Sequence, residues 1–298
     1  MERPSKVHFD ELIIERPLES LNGWCVASLF SPTITPQHVK EFLMRVLFDV
    51  KFGEHFNDPS TLQRKAPLIE AGIEAMAGQG LKSKMREVSE TACYAVLCVE
   101  RGLNQPEQHR WLEMPIKGER PRESEPGLDA LYIEVSSKGP ESDKMMVGEI
   151  KSTSENKDVE EDDRFKRLDA QVKKILKRFT DQVPEILFYR LDRFADQHFS
   201  CAKDKARIVK FWSKYDERET GVSILSFLVF DLSWIEEPEK VVHVEESIRK
   251  LEALTREWKW SREQNLLMVF PLRDFPTSLD SLYTTLSRIK DEWLQIPT

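Results

Sequence analysis

The chain has 298 residues, 32% of them charged and 40% hydrophobic, which is enough to bury one large core or two smaller ones. Its 44 Lys and Arg stand against 52 Asp and Glu, and a net charge of −8 argues against an autonomous nucleic-acid binder, since phosphate contacts need clustered cations. No run reaches the ~18 apolar residues of a membrane helix, and the N-terminus shows no basic segment followed by an apolar one, so neither a membrane span nor a secretion signal is expected.

In chain order, Trp24 to Phe30 is strand-like and leads through Ser31-Pro32-Thr33 into a predicted helix from Pro36 to about Val50; a second helix is expected over Leu68 to Met76. Gly78-Gln79-Gly80 breaks the pattern before a strong helix from about Ser83 to Arg101, with Met85, Val88, Ala92, Ala95, Val96 and Val99 apolar. Trp111 to Ile116 reads as a short strand, followed by a polar loop from Lys117 to Pro126. Asp129, Leu131, Ile133 and Val135 alternate along the next strand, and Met145, Val147, Glu149 and Lys151 share one face of the one after it. Gly139-Pro140 between them signals a turn, so the two strands are expected to pair as a hairpin. An acidic loop, Glu155 to Asp163, precedes a helix from Arg164 to Phe179 with a stripe of Phe165, Leu168, Val172, Ile175, Leu176 and Phe179. Helices over Pro184–Phe194, Cys201–Tyr215, Val242–Trp260 and Thr277–Ile296 then alternate with strands over Val222–Asp231 and Leu266–Pro271. This interleaving predicts a mixed central β-sheet flanked by helices.

The chemistry concentrates in Asp129 and the triplet Glu149-Ile150-Lys151. Two acids and a lysine at one strand end suit a divalent metal held beside a proton-handling group, an arrangement fitted to phosphodiester hydrolysis. The bland alternative is an exposed hairpin carrying a surface ion pair worth about 0–1 kcal/mol. Against it, the triplet closes an apolar strand, and Gly127 and Gly148 beside the acids would let a metal or phosphate approach. Cys25, Cys93, Cys98 and Cys201 lack CxxC spacing and read as buried, reduced thiols of a cytoplasmic protein; the six histidines form no HxxxH or HExxH pattern, so zinc is not expected.

The order helix, strand, Asp strand, E-x-K strand, helix resembles the PD-(D/E)xK nuclease superfamily over about residues 83–180, with Pro126-Gly127-Leu128-Asp129 standing where the family loosely keeps Pro-Asp. The resemblance implies a restriction-endonuclease-like core within 79–298, carrying C-terminal strand–helix additions, while residues 1–78 read from their own pattern as a separate layer, an N-terminal α/β extension. It implies that Asp129 and Glu149 coordinate Mg2+ or Mn2+, with the Ile150 carbonyl as a further ligand. Lys151 would polarise the attacking water or stabilise charge on the phosphorane. Many members add a Glu from the preceding helix, for which Glu90 is the first candidate and Glu87 the competitor; Gln171 matches a site-supporting Gln. The strings Met114-Pro115-Ile116-Lys117, the Gly127-Leu128-Asp129 strand, Val147 to Lys151 and Leu266 to Leu272 are similar to the nuclease-subunit family of Hachiman antiphage systems. That similarity implies a bacterial DNA nuclease held in complex with a superfamily 2 helicase, a partner that would also supply the DNA affinity an acidic chain lacks. Two other readings remain: a catalytically silent nuclease-like scaffold, and an unrelated α/β interaction protein whose Asp129 and Glu149 lie on opposite sheet faces.

Three further patterns have structural explanations as their simplest reading. Gly78 to Ser83 lacks phosphate-loop spacing and is a helix-start turn. The basic residues between Lys166 and Arg178 form a solvated helical face or a track for DNA phosphates. Val244, Ile248, Leu251, Leu254 and Trp258, with Trp260, read as packing residues before they read as a partner or base-stacking surface.

Overall fold

The computed structural model describes residues 13–17, 25–30, most of 81–113, 128–152, most of 170–232, most of 238–272 and position 284. The expected helices over Pro36–Val50 and Leu68–Met76, the loops Lys117–Pro126 and Glu155–Asp163, and nearly all of Thr277–Ile296 lie outside the described residues.

Among the described residues, seven strands form one sheet: β1 (Ile13–Pro17), β2 (Cys25–Phe30), β3 (Arg110–Glu113), β4 (Ala130–Glu134), β5 (Lys144–Ser152), β6 (Val222–Asp231) and β7 (Asn265–Leu272). Their spatial order is β1-β2-β7-β6-β5-β4-β3. β3, β4 and β5 form an antiparallel meander, β5, β6, β7 and β2 run parallel, and β1 closes the far edge antiparallel to β2. The sheet is therefore mixed, as the alternation of apolar runs and helices predicted, and the strands drawn from residues 1–78 extend it through the β2–β7 pairing.

Helices cover both faces. Leu131, Ile133, Met145, Val147, Ile224, Leu228, Phe230, Leu267 and Val269 turn one face of the sheet into a core with Ile175 and Phe179, with α2 (Val183–His198), α3 (Ala202–Val209), α4 (Phe211–Glu217) and with Val244 and Ile248 of α5 (Pro238–Glu257). α1 (Leu81–Tyr94), which continues as a π-helical stretch Ala95–Glu100, packs on β5 and β6 with buried residues outside that core, so it covers the opposite face. The expected single helix Cys201–Tyr215 is two helices, because the chain tightens at Lys210 (φ −59, ψ −22) while staying right-handed. Val244, Ile248 and Trp260 are core residues, and Trp260 packs on Tyr215 with ring centroids 5.3 Å apart, which is the packing role. Cys93 is a buried thiol and Cys98 half-buried, whereas Cys201 is exposed, against the expectation of burial. No described helix is long and apolar enough to cross a membrane.

The β4–β5 hairpin turns through Pro140–Ser142, where Gly139 takes φ +130, a conformation that disfavours a side chain. Asp143 anchors the turn: its carboxylate accepts the Ser136 N–H at 2.8 Å and is forked by Arg207 from α3. At the hairpin's other end, Gly148 pairs with Ala130, and a Cβ built on Gly148 would lie 2.8 Å from the Ala130 Cβ. The expectation that this glycine admits a ligand is corrected: its side is filled by Ala130 and Leu225, and it is there so that β4 and β5 close. Gly127 lies outside the described residues.

Gly148→Ala is accordingly expected to destabilise the fold by about 1–3 kcal/mol through overpacking, measured by urea unfolding. A neutral effect contradicts the close-approach explanation.

Candidate active site

Pairing of β4 with β5 ends at Ala130–Gly148, and β5 runs on to Ser152 with, among the described residues, only β6 beside it. In the resulting notch the Asp129 side chain replaces a strand: its Oδ2 accepts the Ile150 N–H at 2.9 Å. Alternation along β5 places Glu149 and Lys151 on the face that carries Val147, which is the Ile175–Phe179 side of the sheet. Lys151 Nζ then donates to Asp129 Oδ2 at 3.2 Å, to Glu149 Oε2 at 2.8 Å and to the Ile150 carbonyl at 3.0 Å. Asp129 and Glu149 thus lie on one face and share one ammonium, which is not the opposite-face arrangement of an accidental motif.

Two residues outside the motif complete the surroundings. Arg178, from a helical segment within 170–181, brings Nε to 2.7 Å from Glu149 Oε1; the N–H is not aligned on the oxygen, so the attraction is chiefly Coulombic. Ser226 on β6 stands directly across from Glu149, fully buried, and its Oγ has no hydrogen-bond partner among the described residues. Arg178 belongs to the basic stretch read above as a solvated face. Lys173, Lys174 and Lys177 are exposed, but Arg178 borders the buried Ile175 and Phe179 and is drawn inward. A border position beside the apolar stripe was the available sequence signal. Gln171 is half-buried, two turns upstream in the same segment.

Glu87 and Glu90 are both buried, at 5% and 7% exposure, on the helix that covers the other face of the sheet. Glu90 Oε1 is bonded by Arg86 Nε at 2.7 Å. Among the described residues no three His, Cys, Asp or Glu side chains group closely enough to hold a metal ion together. The oxygens that converge are those of Asp129, Glu149 and the Ile150 carbonyl. They are hard donors, suited to Mg2+ or Mn2+, and Mg2+ binds through few carboxylates because it keeps much of its water. The residues present therefore fit such an ion.

Electrostatics separate the two acids. Burial, then the neighbouring Asp129 charge, pushes Glu149 up to about 8, against the pull of Lys151 and Arg178. Burial acts on Asp129 in the same sense, but Lys151, the Ile150 N–H and Arg178 outweigh it and hold Asp129 below the usual carboxylate range. Lys151 is raised, because Asp129 and Glu149 together overcome its desolvation, so it remains an ammonium at neutral pH. Metal-free, the carboxylate pair keeps one proton into the neutral range, and a bound dication would displace it.

No family model, curated protein or solved structure matches the chain. Fold and site define an α/β protein with a buried two-carboxylate, one-lysine centre at a strand fork.

The unfolded chain releases the Glu149 proton near about 4.3, whereas the folded chain keeps it to about 8. Between these values the folded state binds more protons, so this contribution to stability is complete below the lower value and lost as pH rises through the upper one. In metal-free buffer wild type is expected to lose stability over that window while Glu149→Gln stays flatter, as read by thermal unfolding at its two ends. Parallel profiles contradict the assignment.

Proposed function

We propose that this chain is a metal-dependent DNA nuclease of PD-(D/E)xK type, acting as the effector subunit of a bacterial antiphage complex with a superfamily 2 helicase. The observation that carries the reading is the position of Lys151 Nζ. It sits where the three expected metal ligands, Asp129 Oδ2, Ile150 O and Glu149 Oε2, converge at 2.8 to 3.2 Å, a cation standing in for a cation. The order of elements adds support: α1, the antiparallel β3-β4-β5 meander, a helical segment and then β6 parallel to β5 follow the sequence of a restriction-endonuclease-like core.

In this reading Asp129, Glu149 and the Ile150 carbonyl hold Mg2+ or Mn2+, which when bound supplies an acidified water and a Lewis acid for the phosphoryl oxygen. Lys151, displaced from the convergence point, stays beside it. Its raised pKa keeps it an ammonium, so it is already protonated and unavailable as a general base, and it serves as a fixed cation beside the charge that develops on the phosphoryl oxygens. The Ile150 N–H bond keeps Asp129 oriented throughout. A net charge of −8 leaves DNA capture to a partner, in keeping with the helicase.

Purified protein, alone and with the helicase, is expected to degrade DNA in Mg2+ or Mn2+ and to lose about a hundredfold or more of that activity in Glu149→Ala and in Lys151→Ala. Activity surviving both substitutions would sink the proposal. A folded protein with no metal binding and no cleavage would favour the catalytically silent scaffold.

A further inference from the structure

Glu149 is fully buried, and its two oxygens face different partners: Oε2 points to the convergence point at Lys151, and Oε1 to Arg178 on the other side. Rotation of a carboxylate about its last torsion is soft and roughly two-fold, so packing of the carbon chain alone does not decide where its oxygens point. An outer contact on the oxygen that faces away from a ligand position does decide it, and such contacts tune metal affinity. We propose that Arg178 is a positioning residue: by holding Oε1 it fixes Glu149 with Oε2 aimed at Asp129 Oδ2 and the Ile150 carbonyl.

The delivery of Arg178 is built into the core. Ile175 and Phe179, three residues before it and one after, are buried, and the Phe179 carbonyl accepts the buried Tyr215 hydroxyl at 2.9 Å. The helix is thereby pinned to α4, and the Arg178 side chain, 21% exposed, is confined between that helix and β5. Arg86 is the more exposed cation: its side chain is 69% exposed and ion-paired with Glu90, and it feels Asp129 and Glu149 only through longer-range charge. Arginine suits the position because its guanidinium is permanently charged and reaches Glu149 Oε1 at 2.7 Å as a Coulombic partner. The role rests on the metal-site reading above and adds to it a residue that the Asp–Glu-x-Lys motif does not contain.

The test is calorimetric titration of the metal-stripped full chain with Mn2+, with folding followed by circular dichroism, for wild type, Arg178→Ala, Arg178→Gln, Arg178→Lys and Glu149→Gln. Arg178→Ala is expected to weaken Mn2+ binding about 10- to 100-fold. Arg178→Gln removes the charge but keeps a polar side chain, covers the case in which alanine prevents folding, and is expected to weaken binding by a comparable factor. Arg178→Lys recovers part of the loss, a rescue that a merely structural contact would not give. Binding as tight as wild type, or tighter, in the neutral variants that fold overturns the positioning role. If wild type itself binds no Mn2+, or Glu149→Gln binds as wild type does, the metal-site reading has failed instead, and the positioning role fails with it.

Discussion

The Ile150 N–H, on the side of β5 where β4 no longer pairs, is taken by the Asp129 carboxylate at 2.9 Å. A side chain here does the work of a strand, and the rest of the site follows from that substitution. Because Asp129 is tied to the backbone between Glu149 and Lys151, both of their side chains reach it on one face of the sheet. The Ala130–Gly148 pair sets where the fork opens, and the absence of a side chain on Gly148 lets the two strands come close enough for Asp129 to span the gap. At the opposite end of the hairpin, Asp143 and Arg207 fix the turn and with it the register.

The fork gathers two acids and two bases in a largely desolvated space, where charges that are not balanced cost far more than at a surface. Lys151 and Arg178 balance the acids, yet the balance is incomplete: burial still leaves Glu149 holding a proton into the neutral range. Two cations crowded round one pair of carboxylates would be an inefficient way to stabilise a fold, since apolar residues of similar size commonly do as well or better. On the proposed reading, a doubly charged ion joins this cluster and gives the two carboxylates a use beyond stability. Glu87 and Glu90 are buried on α1 against the opposite face, and Arg86, the counter-charge to Glu90, is also coupled to Asp129 and Glu149.

Much of this was legible from period-two alternation. Residues 129–135 and 145–151 read correctly as paired strands around Gly139-Pro140, and with them the meeting of Asp129, Glu149 and Lys151. The buried strand over 222–231 and the strand expected over 266–271, observed over 265–272, were also legible, because apolar runs this short between polar turns are too brief for a buried helix. What escaped the reading depends on tertiary placement. Arg178 is one base among several on an amphipathic helix, and only its position at the edge of the Ile175–Phe179 stripe sends it inward. Ser226 is one hydroxyl inside an apolar run, unremarkable until β6 is laid beside β5 with Glu149 in register. Gly148 looked like a ligand gap and is a strand contact, a distinction that requires knowing that Ala130 lies opposite. The break between α3 and α4 leaves no Gly or Pro signature, because Lys210 stays right-handed.

The central claim is that Asp129, Glu149 and the Ile150 carbonyl form one metal-binding point now occupied by the Lys151 ammonium. Its most direct test is a crystal structure of the protein soaked in Mn2+, with the anomalous signal mapped. A single strong peak bonded by Asp129 and Glu149, with Lys151 Nζ moved aside, is the result the account predicts. A protein whose Lys151 still bridges the two carboxylates, with no anomalous peak at the fork, would contradict it.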